Sequence, residues 1–194
     1  PKNILEIGCN DGTFASNFNK NNITCIEPCG EVAIEAQKKG LKVYIKYFDD
    51  SLVKKLINDH KKFDMIFSAN TITHISNFNS VFHNVSRILS DNGTFIIEEP
   101  SLLETIKKNS YDQFYNEHIY VFSTIALQNI LKKNNLEIYD VENIKVHGGS
   151  NRYYIKKIKN KKIKVSQRFK KNVISEKKFG LHKFSCYKNF SKKV

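Results

Sequence analysis

Five short apolar runs, at residues 3–7, 24–26, 42–45, 63–67 and 94–97, alternate with stretches whose apolar residues recur every three to four positions. Runs of that length rich in Ile, Val and Phe predict buried strands. The helical spacing predicts helices over residues 13–20, 31–39, 51–59, 78–89 and 124–133, with Gly40 and Asn92-Gly93 ending two of them. Crossovers this short imply parallel strands covered on both faces. Two later runs, residues 136–143 and 151–158, read as a terminal strand pair. The expected fold is α/β: a mainly parallel seven-stranded sheet with helices on both faces, binding its ligand beyond the carboxyl ends of the strands where their order reverses.

The first run continues as Ile4-Leu5-Glu6-Ile7-Gly8-Cys9-Asn10-Asp11-Gly12. A strand entering a glycine-bracketed turn that opens a helix sets backbone N–H groups and a positive dipole end beside a polar ligand. A dinucleotide loop of the G-x-G-x-x-G kind needs glycine where this chain has Asn10 and Thr13, which argues against NAD. The loop resembles motif I of the class I S-adenosylmethionine-dependent methyltransferases, E-x-G-x-G-x-G, with Asn10 in the middle position. That resemblance implies a Rossmann-like fold, S-adenosylmethionine as cofactor, and cofactor contacts from Glu6, Gly8, Asn10, Asp11 and Gly12.

The second strand ends in Glu27-Pro28, where a carboxylate can accept hydrogen bonds from two ribose hydroxyls. An acid here suits any nucleoside; the glycine spacing makes the choice. After the third strand, Phe48 and Asp49 stand where methyltransferases place contacts to adenine, although a buried Phe before a helix N-cap Asp gives the same pattern. Asn70 ends the fourth strand, where donor meets acceptor, without the motifs of nucleobase-methylating enzymes. His74 either faces the acceptor or caps the following turn.

Beyond the fifth strand, Tyr111-Asp112-Gln113-Phe114-Tyr115-Asn116-Glu117-His118 is dense in proton-handling side chains, and His147-Gly148-Gly149-Ser150-Asn151-Arg152 follows downstream. Together with Phe122-Ser123 these stretches resemble the C-methyltransferases of nucleotide-linked keto-deoxysugars, whose motifs read Y-D-x-x-Y-H-E-H, Y/F-S and H-G-G-S-x-R. The resemblance implies a proton-transfer group of Tyr115, Glu117 and His118, with His118 as general base oriented by Glu117 and Tyr115 bonded to the enolate oxygen. Carbon becomes a nucleophile only after loss of a proton beside a ketone, a task suited to an imidazole of pKa about 6.5. Substrate contacts are expected from His74, His147, Gly149, Ser150 and Arg152. Asn116 replaces the family's first histidine in this stretch. An O- or N-methyltransferase, and a non-catalytic fragment binding S-adenosylmethionine or nucleic acid, remain the alternatives.

The 194 residues, 40% hydrophobic, suffice for one substantial core. The net charge of +13 is unevenly spread: residues 1–150 carry 16 basic and 18 acidic side chains, residues 151–194 carry 16 and 1. Residues 1–158 are expected to form the cofactor-binding core, and 159–194 a basic helical extension leading to a further C-terminal domain. Lys, Asn and Ile, which AT-rich codons encode, are abundant, so base composition accounts for the charge and nucleic acid is not the expected partner. Cys9, Cys25, Cys29 and Cys186 lack paired C-x-x-C spacing, and neither disulfides nor a metal is expected. With no apolar run near the roughly 20 residues that span a bilayer, a cytoplasmic protein without membrane association is expected. The absence of an initiating Met points to a longer polypeptide, and family members carry flanking domains on both sides.

Overall fold

Strands form where the apolar runs fall: β1 (Ile4–Ile7), β2 (Ile23–Ile26), β3 (Lys42–Tyr44), β4 (Phe63–Ala69), β5 (Leu89–Pro100), β6 (Leu136–Ile144) and β7 (Ser150–Lys157). The computed structural model describes residues 1–59 and 61–193. The strands make one sheet in the order β3-β2-β1-β4-β5-β7-β6. β1 to β5 are mutually parallel, and β7 runs antiparallel between β5 and β6. Strand order reverses between β1 and β4, which opens a crevice above their carboxyl ends.

Alternation along β1 distributes its side chains between two cores. Leu5 and Ile7 join a large cluster with α2 (Asp50–Asn58), α3 (Phe78–Ile88) and α5 (Thr124–Lys133). Ile4 joins Ile23, Cys25 and Ala36 on the opposite face, under α1 (Gly30–Lys38). A further cluster of Leu103, Ile106 and Leu181 links α4 (Leu102–Lys108) to the segment before α7 (Phe184–Ser191).

Two local expectations fail for identifiable reasons. Residues 13–20 form no α-helix, only a 3-10 turn over Ala15–Asn17. Ser16 bonds the Gly12 carbonyl, Asn17 bonds those of Thr13 and Phe14, and Asn19 accepts from the Asn21 N–H. Short polar side chains here supply local bonds that compete with a helical ladder. Asn92-Gly93 does not end α3, which stops at Ile88; both residues lie within β5, beside an irregularity in its register with β4.

The basic C-terminal stretch is tied to the core through α6 (Gln167–Phe179). Its Glu176 is fully buried and accepts the opening N–H groups of α5, Thr124 at 2.7 Å and Ile125 at 3.0 Å. Asn172 accepts the Thr124 hydroxyl at 2.6 Å. A carboxylate at a helix N-terminus satisfies donors that the helix itself leaves open. No helix among the described residues is long and apolar enough to cross a membrane.

Candidate active site

Four segments, residues 7–10, 26–28, 47–48 and 69–75, meet above β1, β2 and β4 around a cavity of about 410 Å3. Hollows of about 530 Å3 open elsewhere, one at the amino ends of the strands beside Lys20, Lys42, Lys61 and Lys62. That is the wrong end of an open α/β sheet for its principal ligand.

Backbone geometry shapes one wall. Gly8 has φ +76°, and a Cβ there would lie 2.2 Å from Thr71 Oγ1, so glycine lets the β1 loop touch the turn after β4. Asn10 takes a left-handed φ of 51° and donates its N–H to Glu27 Oε2 at 3.0 Å. Glu27 Oε1 accepts from the Cys29 N–H, also at 3.0 Å. Each carboxylate oxygen is thereby fixed by one backbone donor and keeps accepting capacity for a pair of hydroxyls. Ile26, Phe48 and Ile75 supply apolar walls, and the lining carries Glu27 but no Lys or Arg. A nucleoside bearing positive charge matches this lining. Phe48 lines the cavity while Asp49 accepts the Leu52 N–H as the N-cap of α2, so the two neighbours divide the roles that their sequence left open.

His74 lines the opposite wall and meets the loop after α4. Its Nδ1 lies 2.7 Å from the Glu117 carbonyl, and the His74 and His118 ring centroids are 5.1 Å apart. His118 Nδ1 faces the Gln113 carbonyl at 3.0 Å, and its Nε2 faces the Tyr115 hydroxyl at 2.7 Å. A carbonyl only accepts, so both histidines carry a proton on Nδ1, and in the neutral ring the Tyr115 O–H donates to the lone pair of His118 Nε2. The group orienting His118 is the Gln113 backbone carbonyl, in place of the expected Glu117 carboxylate. Glu117 is exposed and contributes its own backbone carbonyl to His74. Asn116 is exposed in the same loop.

Several other expected residues lie away from the cavity. Glu6 points to the opposite sheet face beside Cys25, its Oε2 without a hydrogen-bond partner among the described residues, and burial pushes its carboxyl up to about 8. Asp11 pairs with Lys39 at 2.9 Å and with Thr13, bonds that bring its carboxyl down to about 2. Gly12 packs on α1 and Leu41, where a Cβ would lie 3.0 Å from that of Ala36. Arg152 is held by Glu98 at 2.9 and 2.8 Å, so its guanidinium is engaged within the sheet.

The turn at His147–Ser150 behaves as a strand connection. Exposed His147 has φ 48°, Gly149 accepts the Ser101 N–H through its carbonyl, and buried Ser150 bonds the Val146 carbonyl. None of the four borders the cavity. Conversely, Thr71 and Ile75 line it without a motif having marked them, since only the fold brings that turn against Gly8.

Comparison with known proteins supplies a family. The model for "Methyltransferase domain" matches residues 1–141, and that for "C-methyltransferase C-terminal domain" matches residues 145–194. The C-methyltransferase NovU of Streptomyces niveus is 26% identical over 149 residues, covering 76% of this chain and 36% of NovU. The chain thus spans about a third of that relative's length. Among solved structures, a methyltransferase of Thermotoga maritima, described as a possible histamine N-methyltransferase, matches with a TM-score of 0.58 at 21% identity, covering 78% of this chain and 80% of its own. Magnesium protoporphyrin IX methyltransferase of Synechocystis PCC 6803, solved with bound S-adenosylhomocysteine, matches with a TM-score of 0.58 at 14% identity, covering 78% and 72%. These structural likenesses concern the fold, mainly parallel seven-stranded and Rossmann-like.

Proposed function

The chain belongs to the class I S-adenosylmethionine-dependent methyltransferases, and from that premise we propose that it methylates a carbon of a nucleotide-linked ketosugar through a base-generated enolate. The observation that carries this reading is the Tyr115–His118 pair, seated beside His74 on the rim of the cofactor cavity. O- and N-methylation begin from atoms that already hold a lone pair; carbon requires a base at the acceptor first.

The cavity residues suit the cofactor. Glu27 would hold the ribose hydroxyls, Phe48 and Ile26 would enclose the base, and a lining without cations would tolerate the sulfonium. S-adenosylmethionine supplies an activated methyl group when bound, so the protein's own residues have to bind, orient and move one proton. His118 Nε2 is the proton acceptor. A phenol has one proton, so Tyr115 cannot donate to His118 and to the enolate oxygen together. On acceptor binding the Tyr115 hydroxyl turns from Nε2 to the developing oxyanion, which opens Nε2 to the carbon-bound proton. His74, with Nδ1 held by Glu117, presents Nε2 toward the acceptor and helps orient it.

The test is solvent exchange. Nucleotide-linked ketosugars incubated in D2O with the protein and S-adenosylhomocysteine should gain deuterium at the carbon beside the ketone, and His118→Ala should abolish the gain. A product carrying its new methyl group on oxygen or nitrogen would overturn the proposal.

A further inference from the structure

Glu98 and Glu99 are adjacent near the carboxyl end of β5 and, by strand alternation, serve opposite faces of the sheet. Glu98 binds Arg152. Glu99 is fully buried: its Oε1 accepts the N–H groups of Ile72 at 2.9 Å and Thr71 at 3.3 Å, while Oε2 has no hydrogen-bond partner among the described residues. We infer that Glu99 is a positioning residue, whose carboxyl group pins the turn after β4 so that His74, and through it the loop bearing His118, faces the cofactor cavity. The inference rests on the reading of Tyr115 and His118 as the reacting pair.

The turn in question has little to hold it locally. Asn70 is in a left-handed conformation, φ 48°, a strained one for a side-chain-bearing residue. The 3-10 turn Ile72–His74 that follows begins without a side-chain cap, because the Thr71 hydroxyl bonds back to the Ala69 carbonyl at 3.0 Å. Its opening N–H groups would be orphaned, and Glu99 satisfies them from a neighbouring strand. On the other side Thr71 presses on Gly8. The turn is therefore clamped between the cofactor loop and Glu99.

From that clamp the contacts run outward to the proton-transfer pair. His74 Nδ1 donates to the Glu117 carbonyl, the Thr73 carbonyl accepts the Ile119 N–H at 3.0 Å, and the Thr73 hydroxyl bonds the Tyr120 carbonyl. Three bonds thus fasten residues 117–120, and with them His118, to the turn that Glu99 caps. Burial pushes the Glu99 carboxyl up to about 8, which is a destabilising environment for a charged acid. An apolar side chain would fill the space without that penalty but would leave the turn's N–H groups unpaired.

The test compares Glu99→Ala with Glu99→Gln, whose amide oxygen can still accept both N–H groups. Calorimetry with S-adenosylhomocysteine reports folding and cofactor binding, which should stay measurable in both variants because Glu27 still holds the ribose. Nitrogen NMR of the labelled histidine rings then reads His74 directly. Wild type and Glu99→Gln should keep the proton on Nδ1; Glu99→Ala should shift His74 toward the averaged tautomers of a solvated imidazole. Methyl transfer should fall at least tenfold in kcat, at saturating S-adenosylmethionine, for Glu99→Ala and return to within threefold in Glu99→Gln. Should Glu99→Ala fail to bind S-adenosylhomocysteine, Glu99→Asp, too short to reach both donors, takes its place with the same expectations. An unmoved His74 signal overturns the inference, as does a Gln variant as impaired as the Ala variant. The NMR arm needs no methyl acceptor, so it is decided separately from the identity of the sugar.

Discussion

The Tyr115 hydroxyl lies 2.7 Å from His118 Nε2, the ring nitrogen left with a lone pair once Nδ1 has donated to the Gln113 carbonyl. The reactive nitrogen is capped by the residue that the proposed enolate would require. Tyr115→Phe removes the cap and the oxyanion donor together. Methyl transfer should fall about 100-fold while S-adenosylhomocysteine binding stays unchanged, since Tyr115 does not line the cavity. Full activity in single-turnover assays of this variant would exclude the phenol from the reaction.

Glu27→Ala should weaken S-adenosylhomocysteine binding by at least tenfold, measured by titration calorimetry. The substitution deletes the acceptor for the ribose and strands the Asn10 and Cys29 N–H groups that Glu27 now satisfies. Affinity within threefold of wild type would place the ribose elsewhere.

Gly8→Ala should destabilise the fold by about 1–3 kcal/mol, read from thermal or urea melts. The new methyl would meet Thr71 Oγ1 at 2.2 Å from a backbone at φ +76°. Adding Thr71→Ala removes the two nearest atoms, leaving Thr71 Cβ at 3.0 Å, and should restore part of the loss. Equal stability of the single and double variants would show that the left-handed backbone, not the contact, sets the cost.

Glu6 imposes a pH dependence whose sign follows from its raised folded-state pKa of about 8, caused chiefly by burial. The folded protein holds this proton more tightly than the unfolded chain does, so the contribution to stability is complete below about 4.5 and is lost as pH rises toward 8. Glu6→Gln should therefore gain stability relative to wild type as pH climbs from 5 to 8. A difference in melting temperature that stays constant over that interval would mean that Glu6 is not protonated in the fold.

Much of the architecture was legible because strand burial and helical periodicity are local signals; α5, for example, occupies residues 124–133 as its apolar spacing indicates. Helix α4 was not among the expected helices, although Ser101 and Glu104 have the spacing of a capping box and Ser101 Oγ accepts the Glu104 N–H at 3.5 Å. The orientation of Glu6 follows from the same alternation that separates Ile4 from Ile7, which puts it on the face of Cys25 and away from the ligand side. By contrast, the approach of His74 to His118, 44 residues apart, depends on how a turn and a distant loop fold together. Arg152 carried a motif but not its sheet partner: its pairing with Glu98 arises because β7 runs antiparallel beside β5.

Glu176 alters where the molecule can be divided. A cut at residue 158 preserves all seven strands, yet it deletes the acid seated on the first N–H groups of α5 and opens a buried polar junction shared with Asn172 and Tyr153. The unit inherited intact by any fusion or truncation should therefore extend at least through residue 176, making the strongly basic stretch a fastening of the catalytic body as well as a bearer of charge.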